Sequence, residues 1–254
     1  MAMKVLDQMS WPEVRSELDA GRTTVVLALG ATEQHALHMP LATDALIGDE
    51  LARRVAERMD AFLAPTVRIG CSEHHVGFAG TMSLHADTFH RVVGDLVGSL
   101  LKGGFEHIVL LPTHGGNFAP LAEAVQLLPA QERARVVALT DLGALFEVAL
   151  AGEREYGVPL GEGGLHAGEW ETSMLMAIHP ELVHMDRAEA GYTGDMESAV
   201  QSLFEQGVAS ISPNGAIGDP ARASTSHGER YWDLVEELVL ERVRTQAPGG
   251  GSGG

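Results

Sequence analysis

The run Val25-Val-Leu-Ala-Leu29 and the segment that follows it, Gly30-Ala-Thr-Glu-Gln-His-Ala-Leu-His-Met-Pro-Leu-Ala-Thr-Asp44, decide the fold of this chain. Five apolar residues that end at a glycine predict a strand buried on both faces, and the polar residues beyond them predict a loop. Open α/β sheets build their binding sites at such strand ends. The segment therefore predicts both a sheet and the position of a site within it.

The loop holds two carboxylates and two imidazoles. Glu33 and His35 are two residues apart, so both side chains point the same way on an extended segment, and Asp44 returns after a proline-containing turn. Carboxylate and imidazole ligands suit zinc, manganese or iron better than calcium, which takes oxygen ligands. Taken alone, the loop is either half of a metal site or a polar loop with solvated charges.

A second candidate, His114, follows the short apolar run that begins at His107, and two glycines come directly after it. Gly115 and Gly116 permit a tight turn and a close approach of the backbone. His114 is thus either an incidental residue of a glycine turn or a ligand presented at the same edge of the sheet.

A third group lies at the start of a predicted helix. His166 and Glu169 are three residues apart, which places them on one face of a helical turn, whereas Glu171 lies roughly opposite Glu169. We therefore assign Glu169 to the metal and leave Glu171 in a capping or supporting role. Acidic residues also suit a helix start through the macrodipole, which accounts for at least one of the two.

Five candidate ligands are more than one closed structural zinc site needs. They are Glu33, His35, Asp44, His114 and Glu169. Two metal ions that share Asp44 fit this number better and would provide a hydroxide nucleophile at neutral pH. His166 is the candidate for the proton shuttle. The predicted reaction is metal-assisted hydrolysis of an amide or cyclic amide.

Strands and helices alternate along nearly the whole chain, which predicts a parallel sheet covered by helices on both faces. Strands are predicted at residues 23–29, 61–67, 107–111 and 135–139, and helices at 10–19, 45–58, 87–102, 119–128, 142–150, 173–178 and 226–245. Loops are predicted at 69–86 and 152–164, and 181–225 is left unassigned. One domain over residues 1–248, followed by a flexible Gly/Ser linker at 249–254, is the simplest organisation.

The composition limits the classes of molecule that the protein is expected to bind. A formal net charge of −18 argues against nucleic acids and anionic membrane surfaces, which require clustered Lys and Arg. No apolar window is long enough for a membrane span, and the N-terminus lacks the apolar core of a signal peptide. The single cysteine, Cys71, excludes an intrachain disulfide framework and is compatible with a cytoplasmic protein. Because His74 and His75 follow it, a cysteine hydrolase is a separate hypothesis.

These motifs resemble the creatininase family of metal-dependent amidohydrolases. The segments that match, in the same order as in that family, are Ala31-Thr-Glu-Gln-His-Ala-Leu-His-Met-Pro40 with Thr43-Asp44, His114-Gly-Gly-Asn117, His166-Ala-Gly-Glu-Trp-Glu-Thr172 and Gly218-Asp-Pro220. The resemblance implies a three-layer α/β/α sandwich, a hexameric assembly and a centre of two zinc or manganese ions, with iron as a further candidate. It also implies that Glu33, His35, Asp44 and His114 are ligands.

One departure bears on the substrate. Creatininase has His-Tyr-Glu-Asn where this chain has His114-Gly-Gly-Asn117, and its glutamate is a ligand, whereas Gly116 stands at that position here. Glu169, which creatininase itself lacks, is the predicted replacement. Family members with His-Gly-Gly-Asn look more like those acting on formamides of cofactor precursors or on a peptide in mycofactocin maturation. Besides a cyclic amide, those substrates and a catalytically idle metal-binding scaffold are therefore alternatives.

Overall fold

The computed structural model describes residues 3–246, apart from the side chains of residues 144–146, 149 and 197. The Gly/Ser segment at 249–254, predicted to be a linker, lies outside the described residues.

The centre of the fold is a five-stranded parallel sheet in the order β1-β3-β2-β4-β5. Its strands are β1 Lys4–Val5, β2 Thr24–Leu29, β3 Phe62–Leu63, β4 His107–Pro112 and β5 Val136–Ala138. The longest pair is β2 with β4, in register from Thr24 opposite His107 to Leu29 opposite Pro112. Because these two strands are parallel neighbours, the loops that follow them open at the same edge of the sheet.

Ten α-helices are present in the described part of the chain. They are α1 Trp11–Asp19, α2 Thr43–Met59, α3 Ala86–Gly103, α4 Phe118–Leu127, α5 Ala130–Arg133, α6 Gly143–Tyr156, α7 Leu160–Gly163, α8 Glu169–Ile178, α9 Met196–Gln206 and α10 Thr225–Gln246. None of these helices combines the length and the apolar character that crossing a membrane requires.

Side chains of the sheet alternate between two apolar layers. Val26 and Ala28 of β2 pack in a cluster with residues of α2, α6, α8 and α10. Val25, Leu27 and Leu29 of the same strand point the other way, into a cluster with residues of α1, α3 and α4. The predicted three-layer α/β/α sandwich with a parallel sheet is confirmed.

The structure differs from the sequence prediction in several segments. The elements β1 and α5 were not predicted, and β3 covers only Phe62–Leu63 of the strand predicted at 61–67. Residues 152–164, predicted to be a loop from their glycines, instead continue α6 to Tyr156 and add α7. Gly152 lies inside α6, and a Cβ there would come 2.3 Å from the hydroxyl oxygen of Tyr231. A glycine is therefore needed at residue 152 for close packing of α6 against Tyr231, and it does not mark a loop. Residues 181–225, left unassigned, contain α9.

Helix α10 packs closely against α8 next to the site. A Cβ at Gly228 of α10 would lie 1.9 Å from the main-chain oxygen of Ser173 in α8. Next to this contact, Trp232 Nε1 donates a hydrogen bond to the Met174 oxygen at 3.0 Å. The position of α8, whose first turn carries Glu169 and Glu171, is thus set by α10.

Replacing Gly228 by alanine tests this contact. Because the methyl group would meet main-chain atoms that cannot move alone, Gly228→Ala is expected to lower the free energy of unfolding by about 2 kcal/mol or more. The matched control is Gly94→Ala in α3, where a Cβ would meet nothing within 4 Å. That substitution should be neutral or stabilise by up to about 1 kcal/mol. Urea unfolding measures both, and equal effects of the two substitutions would contradict the packing argument.

Candidate metal centre

Five of the predicted site residues meet at the carboxyl edge of β2 and β4. All five are at most 7% exposed; they are Glu33, His35, Asp44, His114 and His166. The loop after β2 supplies the first two, the first turn of α2 the third, the end of β4 the fourth, and the segment before α8 the last.

Within this cluster, two carboxylates face three imidazole nitrogens. Glu33 Oε1 lies 3.2 Å from His114 Nδ1 and 3.8 Å from His166 Nδ1. The two oxygens of Asp44 are divided, with Oδ2 3.2 Å from His114 Nδ1 and Oδ1 3.3 Å from His35 Nε2. Asp44 therefore lies between His35 and His114, with one oxygen toward each.

Each of these imidazoles has its other nitrogen against a main-chain carbonyl. His35 Nδ1 lies 3.1 Å from the Glu33 oxygen, His114 Nε2 3.1 Å from the Cys71 oxygen, and His166 Nε2 2.7 Å from the Gln34 oxygen. A carbonyl oxygen only accepts, so each of these nitrogens carries the proton and donates it. The bare nitrogen of every ring then faces the carboxylates, as it does in histidines that bind metal ions.

Several buried atoms of the cluster are left without a hydrogen-bond partner among the described residues. They are both carboxylate oxygens of Glu33, Oδ2 of Asp44 and Nε2 of His35. Buried carboxylate oxygens and imidazole lone pairs that face each other at 3.2 to 3.3 Å repel unless a cation or a proton lies between them. Their chemistry fits a divalent metal ion such as zinc or manganese.

The electrostatics agree with this demand for positive charge. Burial alone would lower the pKa of His35, but Asp44 and Glu171 outweigh it and raise that pKa well above its usual value. His114 behaves likewise because Glu33 and Asp44 surround it, and its pKa is also raised. The pKa of Asp44, despite its burial, is held far below the usual range by His35 and His114. The raised pKa values of His35 and His114 thus show that the carboxylates favour positive charge where a metal ion would bind.

The structure does not bring Glu169 to this cluster and brings Glu171 instead. Glu171 Oε1 lies 3.6 Å from His35 Nε2, while its Oε2 accepts a hydrogen bond from the Ala167 nitrogen at 2.7 Å. The two carboxylates do point apart, as the helical spacing predicts. The sequence alone does not show which side of α8 faces the sheet edge, and in the structure Glu169 lies on the side that faces away from it.

Glu169 is engaged on the far side of α8 and is fully buried. Its Oε1 lies 2.9 Å from the Ser173 hydroxyl and 2.7 Å from His227 Nδ1, and its Oε2 accepts from the Tyr231 hydroxyl at 2.8 Å. Two of these partners come from α10, more than fifty residues away, so no local pattern could have predicted them.

The loop at residues 69–86 adds two imidazoles that the ligand assignment left out. His75 is buried, with Nε2 3.2 Å from Glu33 Oε1, and His74 stacks on His114 at 5.6 Å between ring centroids. Burial lowers the pKa of His74 to about 3 and that of His75 well below its usual value. Burial also raises the pKa of the Cys71 thiol to about 11, which makes it a poor nucleophile.

Gly116 is required by this loop. A Cβ at that position would lie 2.2 Å from the Cys71 oxygen, 2.5 Å from His114 Nε2 and 2.8 Å from Cε1 of His74. No side chain at residue 116, and therefore no carboxylate, is compatible with the loop as it stands.

The cluster opens into a cavity of about 180 Å³. The cluster supplies its polar floor. The apolar part of its wall comes from Leu142, Leu165, Trp170, Val200, Leu203 and Phe204. A polar, metal-compatible floor beneath an apolar wall is an arrangement that suits a small organic substrate.

Comparison with known proteins agrees with this geometry. A family model described as creatinine amidohydrolase matches residues 7–243. The chain belongs to the creatininase family. The resemblance seen in its motifs is confirmed, and the protein is a hydrolase that acts on carbon–nitrogen bonds of amides.

Three relatives illustrate the range of the family. A mycofactocin precursor peptide peptidase from Mycobacterium ulcerans (strain Agy99) is 34% identical over 243 residues, which cover 92% of this chain and 90% of that protein. A creatinine amidohydrolase from Pseudomonas putida is 27% identical, with 95% and 96% covered. A solved structure described as creatininase Mn superposes with a TM-score of 0.82 at 25% identity, covering 97% of this chain and all of its own.

The lack of space for a side chain at Gly116 can be tested by comparison with the neighbouring Gly115. Gly116→Ala is expected to push the Cys71 carbonyl away from His114 and to destabilise the protein by about 2 kcal/mol or more. Gly115→Ala is the matched control, because a Cβ there would meet nothing within 4 Å. Thermal unfolding of the two variants measures the difference, and an unchanged melting temperature for Gly116→Ala would refute the tight contact.

Proposed function

We propose that this creatininase-family hydrolase is a peptidase that holds two divalent metal ions and cleaves an amide bond of a short peptide. The observation that carries the metal site is the arrangement of His35, His114 and His166, whose bare nitrogens all face buried carboxylates. Similarity to the Mycobacterium ulcerans peptidase supports the peptide substrate, as does the apolar cavity wall.

The ligands in this proposal form two half-sites joined by Asp44. His114 and Glu33 belong with Asp44 Oδ2 on one side, and His35 and Glu171 belong with Asp44 Oδ1 on the other. Glu171 thus takes the part for which the sequence suggested Glu169. Imidazole and carboxylate donors suit zinc or manganese, with iron as a further candidate.

Bound ions would supply a nucleophile from water at neutral pH and polarise the carbonyl under attack. The proton transfers in our proposal fall to His166. Its Nε2–H is held by the Gln34 carbonyl, so Nδ1 is the basic atom, and it faces the cluster from the cavity wall. Burial and the nearby His35 lower its pKa, which keeps the ring neutral and able to accept a proton at pH 7 before passing it to the leaving amine.

The wider assembly is also part of the proposal. We propose a single domain over residues 1–248 and a homo-oligomer, a hexamer by family resemblance, in the cytoplasm. Leu37, Val76 and Met82, each about half exposed, lie on the two loops that build the site and would be covered in such an assembly. The lone Cys71 suits a reducing compartment.

Metal content distinguishes the two carboxylates of α8. Wild-type protein reconstituted with zinc is expected to hold two ions per chain, Glu171→Gln about one, and Glu169→Gln two. Glu169→Gln is the matched control because it removes the same charge two residues away. Elemental analysis of the folded fraction gives the counts. Loss of an ion in Glu169→Gln alone would return Glu169 to the ligand set.

A substrate panel tests the function itself. Zinc- or manganese-loaded protein is expected to cleave short peptides, to act on creatinine at least about 100-fold less efficiently, and to lose activity in His166→Gln by 100-fold or more. Chelation should abolish turnover, whereas alkylation of Cys71 should not. Preference for creatinine would favour a cyclic-amide hydrolase, and no turnover of any amide by fully loaded protein would favour the scaffold.

A further inference from the structure

The side-chain amide of Gln34, which is buried, lies between two imidazoles of the site. Its orientation is set by Oε1, which accepts a hydrogen bond from the Ala36 nitrogen at 2.9 Å. Its Nε2 therefore lies on the other side, 2.9 Å from His75 Nδ1, 3.0 Å from His166 Nε2 and 3.2 Å from the Gly215 oxygen. Because Oε1 has an obligate donor as partner, the amide cannot be turned over without losing that bond.

An amide nitrogen has only two protons to donate, so at most two of these three contacts are hydrogen bonds that Gln34 Nε2 donates. The Gly215 carbonyl only accepts, so it takes one proton. His166 Nε2 already carries a proton for the Gln34 carbonyl, so it cannot accept. The second amide proton goes to His75 Nδ1, which is therefore bare. His75 in its neutral form then carries its proton on Nε2.

His75 therefore differs from His35, His114 and His166. Those three rings turn a bare nitrogen to the carboxylates, whereas His75 turns a protonated nitrogen to them. His75 Nε2 lies 3.2 Å from Glu33 Oε1, and Glu33 and His166 form with it a group close enough to hold a metal ion. A protonated nitrogen cannot bind metal. Glu33 Oε1 accepts no hydrogen bond from the described residues, so the N–H of His75 is not used there, and the ring lines the cavity.

We propose that His75 is a catalytic hydrogen-bond donor to the substrate and that Gln34 is the positioning residue that holds it in the donor form. The inference rests on the proposed function, because the acceptor is the oxygen of the amide carbonyl under attack. A neutral N–H fixed beside the reacting carbonyl stabilises the negative charge that develops on that oxygen. Gly215 contributes to the position of the Gln34 amide, since a Cβ at residue 215 would lie 2.0 Å from Gln34 Oε1.

Nitrogen NMR of histidine-labelled, zinc-loaded protein tests the tautomer without any substrate. His75 is expected to show a bare Nδ1 and a protonated Nε2. In Gln34→Glu, where only acceptors face the ring, the proton should move to Nδ1. A bare or metal-bound Nε2 in the wild-type protein would overturn the inference. The exposed Gln126→Glu, which adds the same charge, should leave the His75 signals unchanged.

Kinetics on the amide that the panel identifies test the catalytic use of the proton. His75→Leu is expected to lower kcat by 100- to 1,000-fold. It should leave KM within a few-fold and the metal count at two. His75→Gln, which keeps an N–H donor, should recover part of the loss. Equal loss in both variants, or loss of an ion, would overturn the donor role. Absence of peptide cleavage together with the expected NMR pattern overturns the peptidase proposal alone.

Discussion

The hydrogen bonds from three imidazoles to three main-chain carbonyls are the constraint on which the site depends. The carbonyls belong to Glu33, Gln34 and Cys71, and each fixes which ring nitrogen is bare. A rotated ring would bring an N–H to the carboxylates and remove a lone pair from the centre. Main-chain atoms are well suited to this task because they move only if the loop that carries them moves.

The loops are in turn held by Asn117, the last residue of the His-Gly-Gly-Asn motif. Its Oδ1 accepts from the Cys71 nitrogen at 2.9 Å, and its Nδ2 donates to the Leu29 and Gly30 oxygens at 2.9 and 3.0 Å. One buried amide thereby joins the end of β2, the loop at 69–86 and the end of β4. The motif combines a candidate ligand, the space left by Gly116, and the side chain that holds the Cys71 carbonyl in place.

Much of this could be predicted from the sequence because the information is local. Apolar runs that end in polar loops mark β2 and β4, and the spacing of Glu33 and His35 places them on one side of an extended loop. The parts that could not be predicted depend on distant partners. Glu169 and Glu171 are chemically alike, and only the packing of α10, through His227 and Tyr231, decides which one faces away from the sheet.

The backbone conformation of Ala36 is another feature that could not be predicted from the sequence. The structure gives Ala36 a φ of 53°, in the left-handed region where alanine is strained. The hydrogen bond from its nitrogen to Gln34 Oε1 offsets that strain. The same bond orients the amide that faces His75 and His166. The Gln34 side chain therefore both stabilises the strained backbone at Ala36 and orients the amide that faces the two imidazoles.

The departure at Gly116 changes which parts of the fold the site depends on. In a centre with a ligand at 116, both half-sites would be completed by the loops after β2 and β4. In our proposal Glu171 takes that role, so the His35 half-site depends on the first turn of α8, and α8 depends on its close contact with α10 at Gly228. The space at 116 is taken by the Cys71 carbonyl and by the rings of His114 and His74, and both rings line the cavity. In this proposal the glycine shifts a ligand role to α8 and leaves the His74 ring as part of the cavity wall.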